Sequence, residues 1–206
     1  MYIAYGAPAY CEAAVAANPA SSESRADLGV AYFRFGEMLD KSGDVSAALQ
    51  FYRKATAIEE AMATEDPTNT IARGDLSEDY MTIADVTLKL GNGKDALEGY
   101  QKALAIREAL VAANPDDADG RTQLARIYES LGNYSFLLAK KDGRTESWRE
   151  AKRRYQQSLD IWVELKNKEK LDSKYADKPT EIARNIAVCD GALARISTSS
   201  ASTSSK

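Results

Sequence analysis

The sequence predicts an all-α protein built from long helices stacked in pairs, and three observations carry that prediction. Helix-forming residues dominate and breakers are few: among 206 residues, 44% are hydrophobic and 28% charged, with only five prolines and twelve glycines. One segment also recurs. ALEGYQKALAIREALVAA, starting at Ala96, is preceded 48 residues upstream by ALQFYRKATAIEEAMATE at Ala48 and followed by AKRRYQQSLDIWVELKNK at Ala151. Finally, the breakers are themselves periodic. Asn18-Pro19, Asp66-Pro67 and Asn114-Pro115 are spaced by 48 and again by 48, and in the same register come Arg25, Arg73 and Arg121, Leu28, Leu76 and Leu124, and Tyr32, Tyr80 and Tyr128. A fixed period of this size marks a repeat array, in which each unit buries its apolar stripe on its neighbours.

Within each unit the segment after the proline reads as one amphipathic helix, A. A glycine turn follows, at Gly43-Asp44 and at Gly91-Asn92-Gly93, and a second helix, B, begins near Val45 or Lys94. Helix B runs to the next proline, whose ring removes an N–H donor and disfavours helix just before it. Residues 9–17, AYCEAAVAA, align with the end of a helix B, so residues 1–20 read as a partial repeat. Full units follow at 21–67, 68–115 and 116–167. The third breaks the period, because Ala151 lies 55 residues after Ala96. Its surplus falls in AKKDGRTES, before Trp148, where a longer interhelical loop is expected. Residues 168–178 read as a polar linker. Pro179 then opens a capping helix over 179–197, with Ile182, Ile186, Cys189 and Leu193 at helical spacing. Seven of the nine residues 198–206 are Ser or Thr, and this tail is expected to be disordered.

The positions that recur are specific. Tyr32, Phe35, Gly36, Gly43, Asp44, Ala48, Tyr52 and Ala55 form one set; Tyr80, Ile83, Ala84, Gly91, Ala96, Tyr100 and Ala103 the next; Tyr128, Leu131, Gly132, Ala151, Tyr155 and Ser158 the third. In this pattern the chain resembles a tetratricopeptide repeat array, which implies a right-handed α–α superhelix. The departure is length, since the family repeat is about 34 residues. The excess is about two heptads, so each helix is expected to be about two turns longer with its apolar stripe still on one face. The closing run from Trp148, with SLDIW, PTEIAR and CDGAL, resembles the C-terminal end of repeat arrays attached to bacterial serine/threonine protein kinases. That likeness covers roughly residues 20–197. It implies a sensor or docking region whose catalytic domain lies elsewhere.

The residues argue against catalysis within this chain. With no histidine, Ser-His-Asp and Cys-His arrangements and imidazole zinc sites are excluded. HRD, DFG, P-loop and glycine-rich nucleotide motifs are absent as well. Neither a cofactor nor a metal is expected. The acidic pairs Glu59-Glu60 and Asp116-Asp117 read as solvated or helix-N-terminal groups rather than acid/base partners. Met62, Met81 and the periodic tyrosines read as core, and Lys152, Arg153 and Arg154 as a solvated face. Cys11 and Cys189 form no ligand spacing and read as buried, reduced thiols. The start MYIAYGAPAY carries no positive charge, unlike a signal peptide, and no apolar run reaches the ~20 residues of a membrane span. A cytoplasmic protein without membrane contact is expected.

Charge is uneven. Residues 1–139 hold 12 Lys/Arg against 21 Asp/Glu, while residues 140–206 hold 15 against 10. This is not a uniform nucleic-acid footprint, so no nucleic-acid partner is expected. The resemblance implies that helix A lines a concave groove. The equivalent partner-binding candidates are Phe33, Glu37, Asp40, Met81, Asp85, Lys89, Glu129 and Asn133. The family's Lys and Asn clamp for a C-terminal carboxylate is missing at Phe33, Met81, Glu37 and Asp85, so a basic partner fits better. The expected function is therefore a non-catalytic scaffold binding a protein or peptide segment. Two other readings stay open: the regulatory region of a kinase, and a self-assembling structural solenoid. The partial repeat at the N-terminus is a candidate surface for self-association.

Overall fold

A computed structural model describes the backbone of residues 2–203 and the side chains of 6–198. Among these residues there are eight α-helices and no strand. They are α1 (Tyr2–Ala17), α2 (Ser22–Ser42), α3 (Val45–Glu65), α4 (Thr70–Lys89), α5 (Gly93–Ala113), α6 (Ala118–Asp142), α7 (Thr145–Asn167) and α8 (Lys178–Thr203). The chain divides into two compact units, residues 1–106 and 107–206, with the division inside α5.

Local chemistry sets the helix ends where the 48-residue period puts them. Ser21, Asp44, Asn69 and Asp117 are N-caps whose side chains accept from backbone N–H groups one turn on, satisfying donors the helix leaves open. Gly43, Gly91 and Gly143 adopt φ of 91°, 86° and 66°, the left-handed conformation that closes a helix and that side chains resist. Each proline doublet sits in the turn between a helix B and the next cap.

In the first unit, α1 packs on α2, α2 on α3 and α3 on α4. Leu28, Tyr32 and Ala55 form one buried cluster against Cys11, Val15 and Ile58. Ala48, Leu49, Tyr52 and Val86 form another. Close approach depends on small residues. A Cβ on Gly36 would stand 2.9 Å from the Tyr52 ring, and in α4 and α5 the small residue changes sides, with a Cβ on Gly99 meeting Ala84 at 3.0 Å. In the second unit, α6 packs on α7 and α7 on α8. Tyr155, Trp162, Leu165, Ile182, Ile186 and Cys189 form its core.

Four expectations change. The surplus of the third repeat is not a loop: only Gly143 and Arg144 separate α6 from α7. Counted from the matched repeat positions, α6 runs four residues further past Gly132 than α2 does past Gly36, and α7 begins three residues further ahead of Ala151 than α3 does of Ala48, so the hairpin grows by about one turn on each arm. The added turns have a core of their own, because Ala139 is buried and Phe136 meets Trp148 edge-on at 5.3 Å. The linker is not purely polar either, since Ser173–Tyr175 is a 3₁₀ turn and Tyr175 lies 5.1 Å from the Trp162 ring. The Ser/Thr tail continues α8 as far as Thr203, with the Ser197 and Thr198 hydroxyls donating back to the carbonyls of Ala194 and Arg195. Residues 204–206 of that tail lie outside the described residues. Cys11 is only half-buried, whereas Cys189 is fully buried; both are free thiols. Burial pushes the Cys189 thiol up to about 11.

Candidate binding site

A ladder of tyrosines holds successive helices together. The Tyr32 hydroxyl donates to Glu12 at 2.6 Å, Tyr80 to Glu60 at 2.5 Å and Tyr128 to Glu108 at 2.5 Å. Each bond ties a helix A to the helix B before it, always across twenty residues. Burial first and the carboxylate second push the Tyr32 and Tyr128 hydroxyls up to about 12. Bidentate pairing of Arg25 with Glu65 at 2.6 Å, and the pair Arg121–Glu164, brace α2 on α3 and α6 on α7.

Several of the groove candidates belong to this bracing. Asp85 accepts from the Tyr100 hydroxyl at 2.6 Å, and Asn133 from Tyr155 at 2.7 Å. Asp40 pairs with Lys89 at 2.8 Å, and Glu129 with Lys178 at 2.7 Å. Phe33 stacks at a tilt on Tyr52, centroids 5.2 Å apart, and Glu37 pairs with Arg34 at 2.8 Å. Met81 is 3% exposed, so it packs the interior and offers no surface to a partner. The basic run is likewise engaged. Lys152 bonds Asp190, Arg153 and Arg154 bond Glu150, and Arg154 lies over the Tyr128 ring.

Within the first unit, α2, α3 and α4 enclose a cleft of about 230 Å³. Gly29, Val30, Phe33, Arg34 and Glu37 line it from α2, Ala55 and Glu59 from α3, and Asp75, Glu78 and Asp79 from α4. It contains Phe33 and Glu37 and none of the other groove candidates. Glu59 and Asp79 are 8% and 7% exposed. Asp79 accepts from the Thr56 hydroxyl at 3.1 Å, while no hydrogen bond or ion pair holds Glu59 among the described residues. Burial, with the charge of Asp75 behind it, pushes the Glu59 carboxyl up to about 7. Burial also raises Asp79 to about 7; its bond from Thr56 opposes the shift, and the charges of Glu59, Asp75 and Glu78 add to it.

Glu59 thus overturns its reading as a solvated group at a helix end: it sits within α3 with its side chain under the α2 backbone at Gly29. Its neighbour Glu60 belongs to the tyrosine ladder. The reading holds for Asp117, which caps α6. The ladder could have been found in the sequence, because Glu12, Glu60 and Glu108 recur with the same period as their tyrosines. The cleft could not, because its carboxylates come from three helices with no shared spacing.

Comparison with known proteins supports the fold. Residues 30–62 match the tetratricopeptide repeat family. Among solved structures the chain is similar to BtubC (BKLC) from P. vanneervenii, at 17% identity and a TM-score of 0.60, covering 86% of this chain and 61% of that one. It therefore spans less than two thirds of that protein's length. It is also similar to the MamA RS-1 ArsTM double mutant, at 17% identity and a TM-score of 0.42, over 98% of this chain and 88% of that one. A de novo designed helical repeat protein, DHR64, matches at 10% identity and a TM-score of 0.39, over 96% and 94%. No curated protein matches the sequence. At such identities the likeness is one of fold: this is an all-α protein of tandem, tetratricopeptide-like helix pairs. No described helix is long and apolar enough to cross a membrane.

Proposed function

We propose that this protein is a cytoplasmic, non-catalytic scaffold that binds a segment of another protein on its repeat surface. The observation that carries this reading is the contrast between constant and variable positions. The tyrosine–glutamate ladder repeats unchanged in three successive units, so it serves the stack. On the groove face the positions instead differ between units: Asp85 and Asn133 are taken up by the Tyr100 and Tyr155 hydroxyls, whereas Glu37 lines the cleft beside the exposed Arg34, as a surface selecting a particular partner would. Acidic residues on that face favour a partner carrying Lys or Arg, and opposite charge would speed the encounter. The test is capture of a partner by the intact purified chain, followed by reconstitution with the purified partner. Binding should weaken with salt and with Glu37→Lys, whose side chain is part-exposed at 31% and not part of the core. An affinity indifferent to both would remove the acidic face from the reading. Failure of the intact chain to bind any partner while sedimenting as a concentration-dependent assembly would favour the structural solenoid instead.

A narrower proposal is that the array serves a bacterial serine/threonine kinase in cis. It is supported by the closing phrases SLDIW, PTEIAR and CDGAL alone. A catalytic domain encoded in the same reading frame would support it, and a reading frame holding only repeats would remove it.

A further inference from the structure

We infer that the cleft between α2, α3 and α4 is a docking subsite for one basic side chain, lysine or arginine, of the bound protein segment. This rests on the scaffold reading and gives it a place and a chemistry. Glu59 is more than nine-tenths buried, lines the cleft, and has neither a hydrogen bond nor an ion pair among the described residues. Its carboxyl oxygens are not sealed in the core but open into the cleft, with no counter-charge from the described residues beside them, which points to a partner supplied from outside.

The fold itself has no need of these carboxylates. One repeat further along, the position of Glu59 is Arg107 and that of Asp79 is Ile127, which is 1% exposed. An apolar residue therefore satisfies the same packing place, and the acidic lining is particular to one unit. Gly29 makes the approach possible, because a Cβ there would stand 3.0 Å from Glu59 Oε1. The equivalent residues in the following units are Ser77 and Ala125, so the opening is particular to this unit as well.

The lining also fits the shape of the guest. Carboxylates of Glu37, Glu59, Asp75, Glu78 and Asp79 surround the space; the cation among the lining residues is Arg34, 72% exposed and paired with Glu37. Val30, Phe33 and Ala55 supply apolar wall, which suits the methylene stem of a long basic side chain whose head reaches the acids. A volume of about 230 Å³ accommodates such a side chain. Among the described residues no three acidic groups converge as metal ligands do, so an elongated organic cation fits better than a metal ion. The charged groups facing the site are Arg34 and Glu37 from α2, Glu59 from α3, and Asp75, Glu78 and Asp79 from α4. Burial holds Glu59 and Asp79 partly protonated near neutral pH. A bound cation would ionise them, so binding releases protons and tightens as the pH rises from 6 to 8.

The test is an amide-resolved NMR titration of the full chain with the peptide acetyl-Gly-Gly-Lys-Gly-Gly-amide. Its norleucine analogue, spermidine and magnesium chloride serve as comparison ligands. The lysine peptide should shift the amides of Gly29, Ala55, Glu59 and Asp79, and the norleucine peptide should not. Glu59→Gln should weaken the lysine peptide about ten-fold, the value of one charge-assisted contact. Glu146→Gln, an exposed acid at the start of α7, should leave it unchanged. Unaltered helical circular dichroism in Glu59→Gln separates lost binding from lost fold. Equal losses in both variants, or shifts scattered over other acidic surfaces, would overturn the inference in favour of non-specific attraction. Spermidine or magnesium binding the same amides as tightly as the peptide would overturn it in favour of a small-cation site. Either result leaves the scaffold reading standing, because that reading depends on whether the intact chain captures a protein at all.

Discussion

Glu59→Gln should make this protein more stable, by an amount that grows from pH 4.5 to about pH 7 and is constant above it. In the native state Glu59 holds its proton up to about pH 7, whereas in the unfolded chain it ionises near 4.5. Between those values the native state binds a proton that the unfolded state has released. Stability therefore falls as the pH rises across that window and is level above it. Asp79, raised from 3.8 to about 7, adds a contribution of the same sign. For Glu59 the full displacement corresponds to a ceiling of about 3 kcal/mol at 1.36 kcal/mol per pH unit. Because the cleft opens to water on one side, about 1–3 kcal/mol is the expected range. Glutamine keeps the shape and never ionises, so it removes this cost above pH 7 and changes little near pH 4.5. Urea denaturation followed by circular dichroism at pH 8 and pH 4.5 measures the difference. With a urea slope of about 2–3 kcal/mol per molar, the midpoint should rise by about 0.5–1 M at pH 8. A midpoint at pH 8 that is unchanged or lower would mean that Glu59 has a partner in the folded state, and the argument from its isolation would fail.

The remaining predictions probe the packing. Ala103 is fully buried where the Ser77 hydroxyl of α4 reaches its carbonyl, so Ala103→Leu should overpack the interface and cost about 1–3 kcal/mol; an unchanged denaturation midpoint would refute the register of α5. Tyr128→Phe removes one rung of the ladder and leaves the ring, so a loss of about 1 kcal/mol is expected, and no loss would mean that the Glu108 bond is idle. Gly132→Ala places a Cβ 2.6 Å from the Tyr155 ring and should destabilise by about 1–3 kcal/mol in thermal melts, whereas a tolerated alanine would show that α6 and α7 can separate freely. In α1, Pro8 withholds a helical N–H and Tyr10 is 79% exposed, so its amides should exchange faster than those of α3, which packs on both α2 and α4. Strong protection of α1 in a proven monomer would contradict that reading.

The sequence by itself determined the helices, their pairing and most of their ends. Those features depend on interactions within a few residues: caps such as Asn69, glycine turns such as Gly43, and the apolar stripe that returns every turn. Repetition supplied the rest, because a residue placed three times in one register, such as Tyr32, Tyr80 and Tyr128, declares a shared structural role. Where the period broke, local reading failed. The seven extra residues before Ala151 looked like loop, yet about two turns of helix keep the same face inward and can extend a hairpin without disturbing its core. Only the tertiary structure decided which polar groups are committed. Asp85, Asn133, Glu129 and Asp40 look free in the sequence, but their partners come from residues 15 to 49 positions away. Glu59 shows the converse: it lies on the α3 stripe of Tyr52 and Ala55, yet as a carboxylate it reads as solvated, because the walls that remove it from water belong to two other helices. Burial is a property of packed surfaces, and the sequence lists the surfaces without saying which of them meet.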